Sequence, residues 1–170
     1  PGGWIGLTNM GSLMHIIKKN VNGSIYFITC NTGGLGLNYH PSKPFHNKIK
    51  YQTCICIETT LDKCIDPIFW TIFFSLWLRS KPCEYNRVEV IYDVLLPWLC
   101  LDGKLLPNSL LSLKDLNFQE RNYRSSQRSQ TSSVKTIMEI IRFILLNDYN
   151  LSIKQLKQLS FAIKYTLLKI

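Results

Sequence analysis

The sequence predicts an α+β fold: a small antiparallel β-sheet in the N-terminal third, packed with several α-helices. Three observations carry this. Two apolar runs, residues 13–19 and 24–30, flank Asn22-Gly23, a strong short hairpin signal because both turn residues tolerate positive φ. Residues 50–58 alternate, with Tyr51, Thr53, Ile55 and Ile57 on one side, as a half-buried strand does. Beyond Asp66-Pro67 the apolar residues recur at helical spacing.

The elements follow in order. After the hairpin, Gly33, Gly34 and Gly36 mark an irregular loop. Residues 35–40 are expected as a short strand, and Pro41 and Pro44 punctuate the next turn. Asp66 and Pro67 are a natural N-cap and first helical residue. The helix they open is apolar nearly all round, so burial on most faces is expected. A helix over residues 87–100 would use Ile91, Val94, Leu95 and Trp98, with Pro97 ending or kinking it. Residues 117–130 are polar and loop-like. Ser132 or Ser133 then caps a helix whose stripe is Ile137, Ile140, Ile141, Ile144 and Leu145. A last helix runs from Ser152, with Leu156, Leu159, Ile163 and Leu167 inward. The expected organisation is one domain over residues 1–147 and a C-terminal helix, truncated or an extension, over 148–170. Both ends look cut, which suggests a fragment.

Composition narrows the function classes. The chain has 170 residues with 46% apolar content, enough for one ordered core. The longest apolar run, residues 68–78, is too short to span a bilayer, and nothing resembles a signal peptide. Six cysteines are present, several inside apolar runs, with no CxxC pair. Cys54 and Cys56 lie in a strand-like stretch and are expected on opposite faces, a spacing poor for a shared zinc site. Reduced thiols and an intracellular location, cytoplasmic or nuclear, are expected. No cofactor or metal is implied. The net charge of +9 fits a solvated Lys-rich surface, or nucleic acid or another anionic partner; the one basic cluster is Arg121, Arg124 and Arg128.

A nucleophilic site needs a nucleophile at a helix N-terminus, a His as base, a group that orients the His, and an oxyanion donor. His15 lies on the first hairpin strand, and Asn31-Thr32-Gly33 ends the second. Hairpin pairing sets these side by side, so Asn31 is expected to accept from the His15 ring. Gln127 precedes Ser132 by five positions, and Ser132 opens the amphipathic helix.

This arrangement resembles the His and Asn strands and the nucleophile segment of papain-like cysteine peptidases, in permuted order with the His/Asn segment first. The resemblance implies that Ser132 stands at the cysteine position, that Gln127 is the oxyanion donor, and that His15 and Asn31 are the base and its orienting group. It also implies a papain-like fold. The chain departs from that pattern in three places. The nucleophile is Ser. Gln130 stands where a Gly would allow close backbone approach. The His of such enzymes falls nearer Leu13 than His15, a displacement of roughly 7 Å along a strand. A hydroxyl is not ionised as a thiol is, and a displaced base cannot rescue it. The expectation is therefore a degenerate, catalytically impaired peptidase domain kept for binding a protein or peptide. The alternatives are an interaction module without peptidase ancestry and a basic nucleic-acid-binding domain. Each residue also has a structural role open to it: His15 in the core, Asn31 in a turn, Ser132 as a helix cap.

Overall fold

A computed structural model describes residues 1–78, 81–101, 123–126 and 132–167. Its architecture is α+β, with two antiparallel sheets and helices on both faces of the larger one. The larger sheet has the order β1-β2-β3-β6, formed by β1 (Gly2–Ile5), β2 (Met10–Lys19), β3 (Ile25–Cys30) and β6 (Cys54–Thr59). The smaller sheet, β4-β5-β7, is formed by β4 (Ser42–Phe45), β5 (Lys48–Gln52) and β7 (Tyr123–Ser125).

The β2–β3 hairpin forms where Asn22-Gly23 predicts it, but with a longer loop. Gly23 N–H donates to the Asn20 carbonyl at 3.0 Å, and Gly23 alone in this loop has positive φ, at 87°. This is a tight turn followed by a left-handed glycine, the usual three-residue hairpin connection. Asn22 contributes its side chain instead, accepting from the Ser24 N–H at 3.1 Å.

Strand alternation splits the larger sheet into two faces with separate cores. Leu13, Phe27, Ile55 and Ile57 pack against Phe69, Phe73 and Leu76 of α2 (Pro67–Trp77). The same core includes Ile91, Tyr92 and Leu95 from a π-helical segment, Val90–Leu95, which continues into α3 (Leu96–Leu99). On the other face Ile28, Cys30, Cys54 and Cys56 pack against Ile140 and Phe143 of the helix Ser132–Asn147. Each fully buried Ile or Phe contributes on the order of 2 kcal/mol, so both layers hold the sheet.

Asp66 caps α2, accepting from the Ile68 N–H at 2.8 Å with Pro67 in the first turn. Before it lies a single turn, α1 (Leu61–Cys64), capped by Thr60. The helix Ser132–Asn147 is therefore α4, and the last helix, Ile153–Leu167, is α5. The Ser152 hydroxyl accepts from the Gln155 N–H at 3.3 Å while the Gln155 side chain accepts from the Ser152 N–H at 2.9 Å, a capping box that starts α5.

Five expectations are corrected. Cys54 and Cys56 lie on one face of the larger sheet, not on opposite faces, because alternate positions of a strand point the same way. Residues 35–40 are not a strand: Leu35–Tyr39 is a 3-10 helix, entered through Gly34 at φ 73°. Residues 50–58 are not one strand but β5 and β6, in different sheets, broken at Thr53, whose hydroxyl bonds Glu139 of α4 at 2.9 Å. The helix α2 is buried on one face only, with Ile68, Phe74 and Leu78 exposed. Of the stripe expected over residues 87–100, Ile91 and Leu95 are buried but Val94 and Trp98 are exposed, and Tyr92, Leu96 and Leu99 are buried in their place, because the π-helical turn rotates the faces. A wider turn with a proline after it explains the drift, since Pro97 supplies no N–H to the ladder.

Candidate functional site

Three of the segments singled out by sequence meet. The N-terminal turns of α4 lie against the start of β2 and the end of β3: the Ser12 and Ser133 hydroxyls are 2.9 Å apart, and the Thr32 and Thr136 hydroxyls are 3.1 Å apart. Ser132 is the first residue of α4. Gln127, Arg121 and Arg128 lie outside the described residues.

The side chains do not follow the segments. His15 pairs with Thr29 across the hairpin and points away from α4, into the aromatic cluster on the α2 face. Its ring centroid is 4.9 Å from that of Phe73 and 5.2 Å from that of Phe27. Its Nδ1 bonds the Thr29 hydroxyl at 3.1 Å, and its Nε2 is buried without a partner. Burial pushes its pKa down to about 3, so the ring is neutral at any ordinary pH. Gly2 makes room for it: a Cβ there would stand 2.8 Å from His15 Nε2 and 2.5 Å from Phe73 Cζ.

Asn31 does not orient His15. Its amide Nδ2 donates to the Tyr92 hydroxyl at 3.2 Å, and its Oδ1 accepts from the Gly33 N–H at 3.0 Å. The expected His15–Asn31 pairing is therefore replaced by two separate contacts on the same face of the sheet, His15 with Thr29 and Asn31 with Tyr92. Position 12, not 15, faces the α4 terminus; shifting a strand position by an odd number changes its face. The contacts between this terminus and the two strands are hydroxyl pairs, Ser12 with Ser133 and Thr32 with Thr136.

A histidine that the sequence reading left without a role has a defined one. The Nδ1–H of His40 donates to the Gln52 carbonyl at 2.6 Å, and its Nε2 accepts from the Tyr92 hydroxyl at 2.9 Å. Tyr92 in turn accepts from Asn31. One tautomer satisfies the whole chain, and burial holds the His40 pKa down at about 4. Burial likewise pushes the Tyr92 hydroxyl above its ordinary range. This neutral network ties the end of β3, the start of the second sheet and the π-helical segment together. No local pattern in the sequence reveals it, since its members lie 61 and 52 positions from Tyr92.

A concavity lies on the α4 side of the sheet. It is a groove of about 1110 Å³ between α4, α5 and β7. Met138, Ile141 and Leu145 of α4 face Leu156, Leu159 and Ile163 of α5 across it. Among the described residues four cations line it, Arg124, Lys135, Arg142 and Lys157, against one carboxylate, Glu139. Glu139 is only 12% exposed and accepts from Thr53 at 2.9 Å and from Arg142 Nη1 at 2.8 Å, with Arg124 Nε at 3.8 Å. The predicted basic cluster thus contributes Arg124 to this wall. The predicted α4 stripe divides: Ile140 is buried on the sheet, Ile141 and Leu145 line the groove, and Ile137 is exposed. Of the α5 stripe, Leu156 is buried while Leu159 and Ile163 line the groove.

Among the described residues no group of three or more His, Cys, Asp or Glu could hold a metal ion, and no helix is long and apolar enough to cross a membrane. Comparison with known proteins finds no matching family model, no matching curated protein and no matching solved structure.

Proposed function

We propose that the chain is a degenerate papain-like domain without peptidase activity that binds a partner protein, taking an acidic amphipathic segment of it into the groove between α4, α5 and β7. The observation that carries this reading is the mismatch between segments and side chains. The start of β2, the end of β3 and the N-terminus of α4 meet as a thiol peptidase requires, yet the imidazole lies on the opposite face of the sheet. A base on the far side of a β-sheet cannot reach a nucleophile, whatever its pKa. What is left is a scaffold with an apolar groove and a net positive lining. Amphipathic helices dock in such grooves through apolar residues at i, i+3, i+4 and i+7, and opposite charge steers them in.

Two measurements test the two halves. A fluorescein-labelled helical peptide with a Leu stripe and a Glu-rich polar face is titrated by anisotropy, alongside its Lys-rich counterpart. Saturable binding of the acidic peptide alone is expected. Leu159→Glu or Lys157→Glu should weaken it about tenfold, roughly 1.4 kcal/mol, while Ile68→Glu on α2 should leave it unchanged. Equal binding of both peptides, or indifference to the groove substitutions, overturns the binding site. Alkylation of Ser132→Cys should be slow near neutral pH and unaffected by His15→Ala. A fast rate that needs His15 overturns the non-catalytic half.

A further inference from the structure

We infer that Cys30 and Cys54 are a dithiol pair poised to form a reversible cross-strand disulfide, with a low-molecular-weight disulfide as the oxidant. The two residues are direct partners in the β3–β6 ladder. Asn31 N–H donates to the Thr53 carbonyl at 2.9 Å, so residues 31 and 53 form a hydrogen-bonded pair. Pairs alternate along an antiparallel ladder, which makes Cys30 and Cys54 a non-hydrogen-bonded pair, with Cα atoms about 4.5 Å apart and side chains close. That separation lies within disulfide range, about 4.4–6.8 Å. The sulfur atoms are 3.1 Å apart, and the Cys54 thiol donates to the Cys30 sulfur.

Packing alone does not require this pairing. Cys56, on the same face, stands opposite Ile28 and has no thiol across from it. Cys64, Cys83 and Cys100 lie outside this cluster. Both members of the pair are shielded by α4, through Ile140 and Phe143, and burial raises the Cys54 thiol well above its ordinary range. Ile140 and Phe143 screen the two sulfur atoms from an oxidant, so reaction waits on a partial lifting of α4. The pair sits directly beneath Thr32 and Thr53, which line the groove and hold Thr136 and Glu139 of α4. Oxidation therefore staples the floor on which α4 rests.

The chemistry balances in two exchanges. One cysteine thiolate attacks the oxidant disulfide, forming a mixed disulfide and releasing one small thiol. The second cysteine thiolate then attacks the protein sulfur of that mixed disulfide, closing the Cys30–Cys54 bond and releasing the second small thiol. Two protein thiols are oxidised, one small disulfide is reduced, and each thiol proton leaves to solvent and returns on a released thiol.

The test incubates the folded chain, carrying Cys83→Ala to remove the half-buried thiol, with oxidised glutathione at mildly alkaline pH. Free thiols are then blocked with an alkylating reagent and the products mapped by peptide mass spectrometry. A parallel sample is oxidised in urea. The folded sample should give Cys30 linked to Cys54 as its main product, reversed by dithiothreitol, with Cys56, Cys64 and Cys100 alkylated. The urea sample should give a scrambled mixture. If the folded sample leaves Cys30 and Cys54 as thiols, pairs either elsewhere, or matches the urea mixture, the inference fails. Circular dichroism before oxidation establishes that the Cys83→Ala chain is folded. Should it not be, the same map on the unmodified chain decides the question.

Discussion

Lowering the pH should destabilise this fold steeply, through two histidines that it holds neutral. His15 and His40 are both buried, and burial depresses their pKa values to about 3 and about 4 from an ordinary 6.5. Between those values the unfolded chain takes up protons that the folded chain refuses. A depressed folded-state pKa means the stability is present in full above about 6.5 and is lost as pH falls toward the folded values. Each group costs about 1.4 kcal/mol per pH unit in that window. From pH 7 to pH 4.5 the two together remove about 5 kcal/mol, a third or more of the stability of an ordinary domain. Urea unfolding at half-unit steps of pH measures the loss, and His15→Phe should halve it while keeping the ring within the aromatic cluster. The NMR signals of both imidazoles should stay in the neutral position until the protein unfolds. A His15 ring that titrates near pH 6 to 7 in the folded chain, or a stability that is flat from pH 7 to 4.5, would refute the assignment of His15 to the core. The first of these results would also restore His15 as a candidate base.

Three other changes probe the parts around the site. Tyr92→Phe leaves His40 Nε2 and the Asn31 amide without their shared partner, and should cost about 2–4 kcal/mol in urea unfolding; a loss under about 1 kcal/mol would mean the network is not closed. Glu139→Gln removes the charge of the carboxylate that Arg142, 14% exposed, and Arg124 share, and should cost about 3 kcal/mol, read in the same assay. Gly3→Ala forces a side chain at φ 144° with its Cβ 2.0 Å from the Gly11 carbonyl, and should lower the thermal midpoint by at least several degrees, roughly 2 kcal/mol.

Much of the fold is legible in local pattern. Asn22-Gly23 marks the hairpin, Asp66-Pro67 the start of α2, and the apolar stripe after Ser133 the helix that covers the sheet. Each signal works because the residues that produce the structure are neighbours in sequence. Where the partners are distant, the reading fails. The alternation over residues 50–58 is continuous, but Thr53 is drawn to Glu139, 86 positions on, and the strand breaks there. Tyr92 is a polar tip in an apolar run until His40 and Asn31 are brought to it. The candidate site suffers most. Proximity of His15 to Asn31 follows from the hairpin alone, whereas the face each side chain takes depends on register, and one residue of register exchanges the two faces.

That dependence gives the most direct test of the face assignment. If the α4 terminus meets even-numbered positions of β2, a histidine belongs at position 12 to act there. Ser12 and Ser133 already touch, at 2.9 Å, and both are solvent-accessible, so neither substitution opens a core cavity. In a Ser133→Cys variant the new thiol sits in the first turn of α4, where the helix dipole favours its thiolate. Adding Ser12→His sets an imidazole beside it, and the imidazolium–thiolate pair lowers the thiol pKa further, by about one unit or more. Alkylation near pH 7 should then run several-fold faster in the double variant than in Ser133→Cys alone. Adding His15→Ala to either variant should change nothing. The opposite pattern, a rate insensitive to Ser12→His and reduced by His15→Ala, would mean that β2 presents its odd-numbered face to α4. Leu13 and Phe27 would then have to leave the core they share with Phe73, which a stable folded variant could not tolerate.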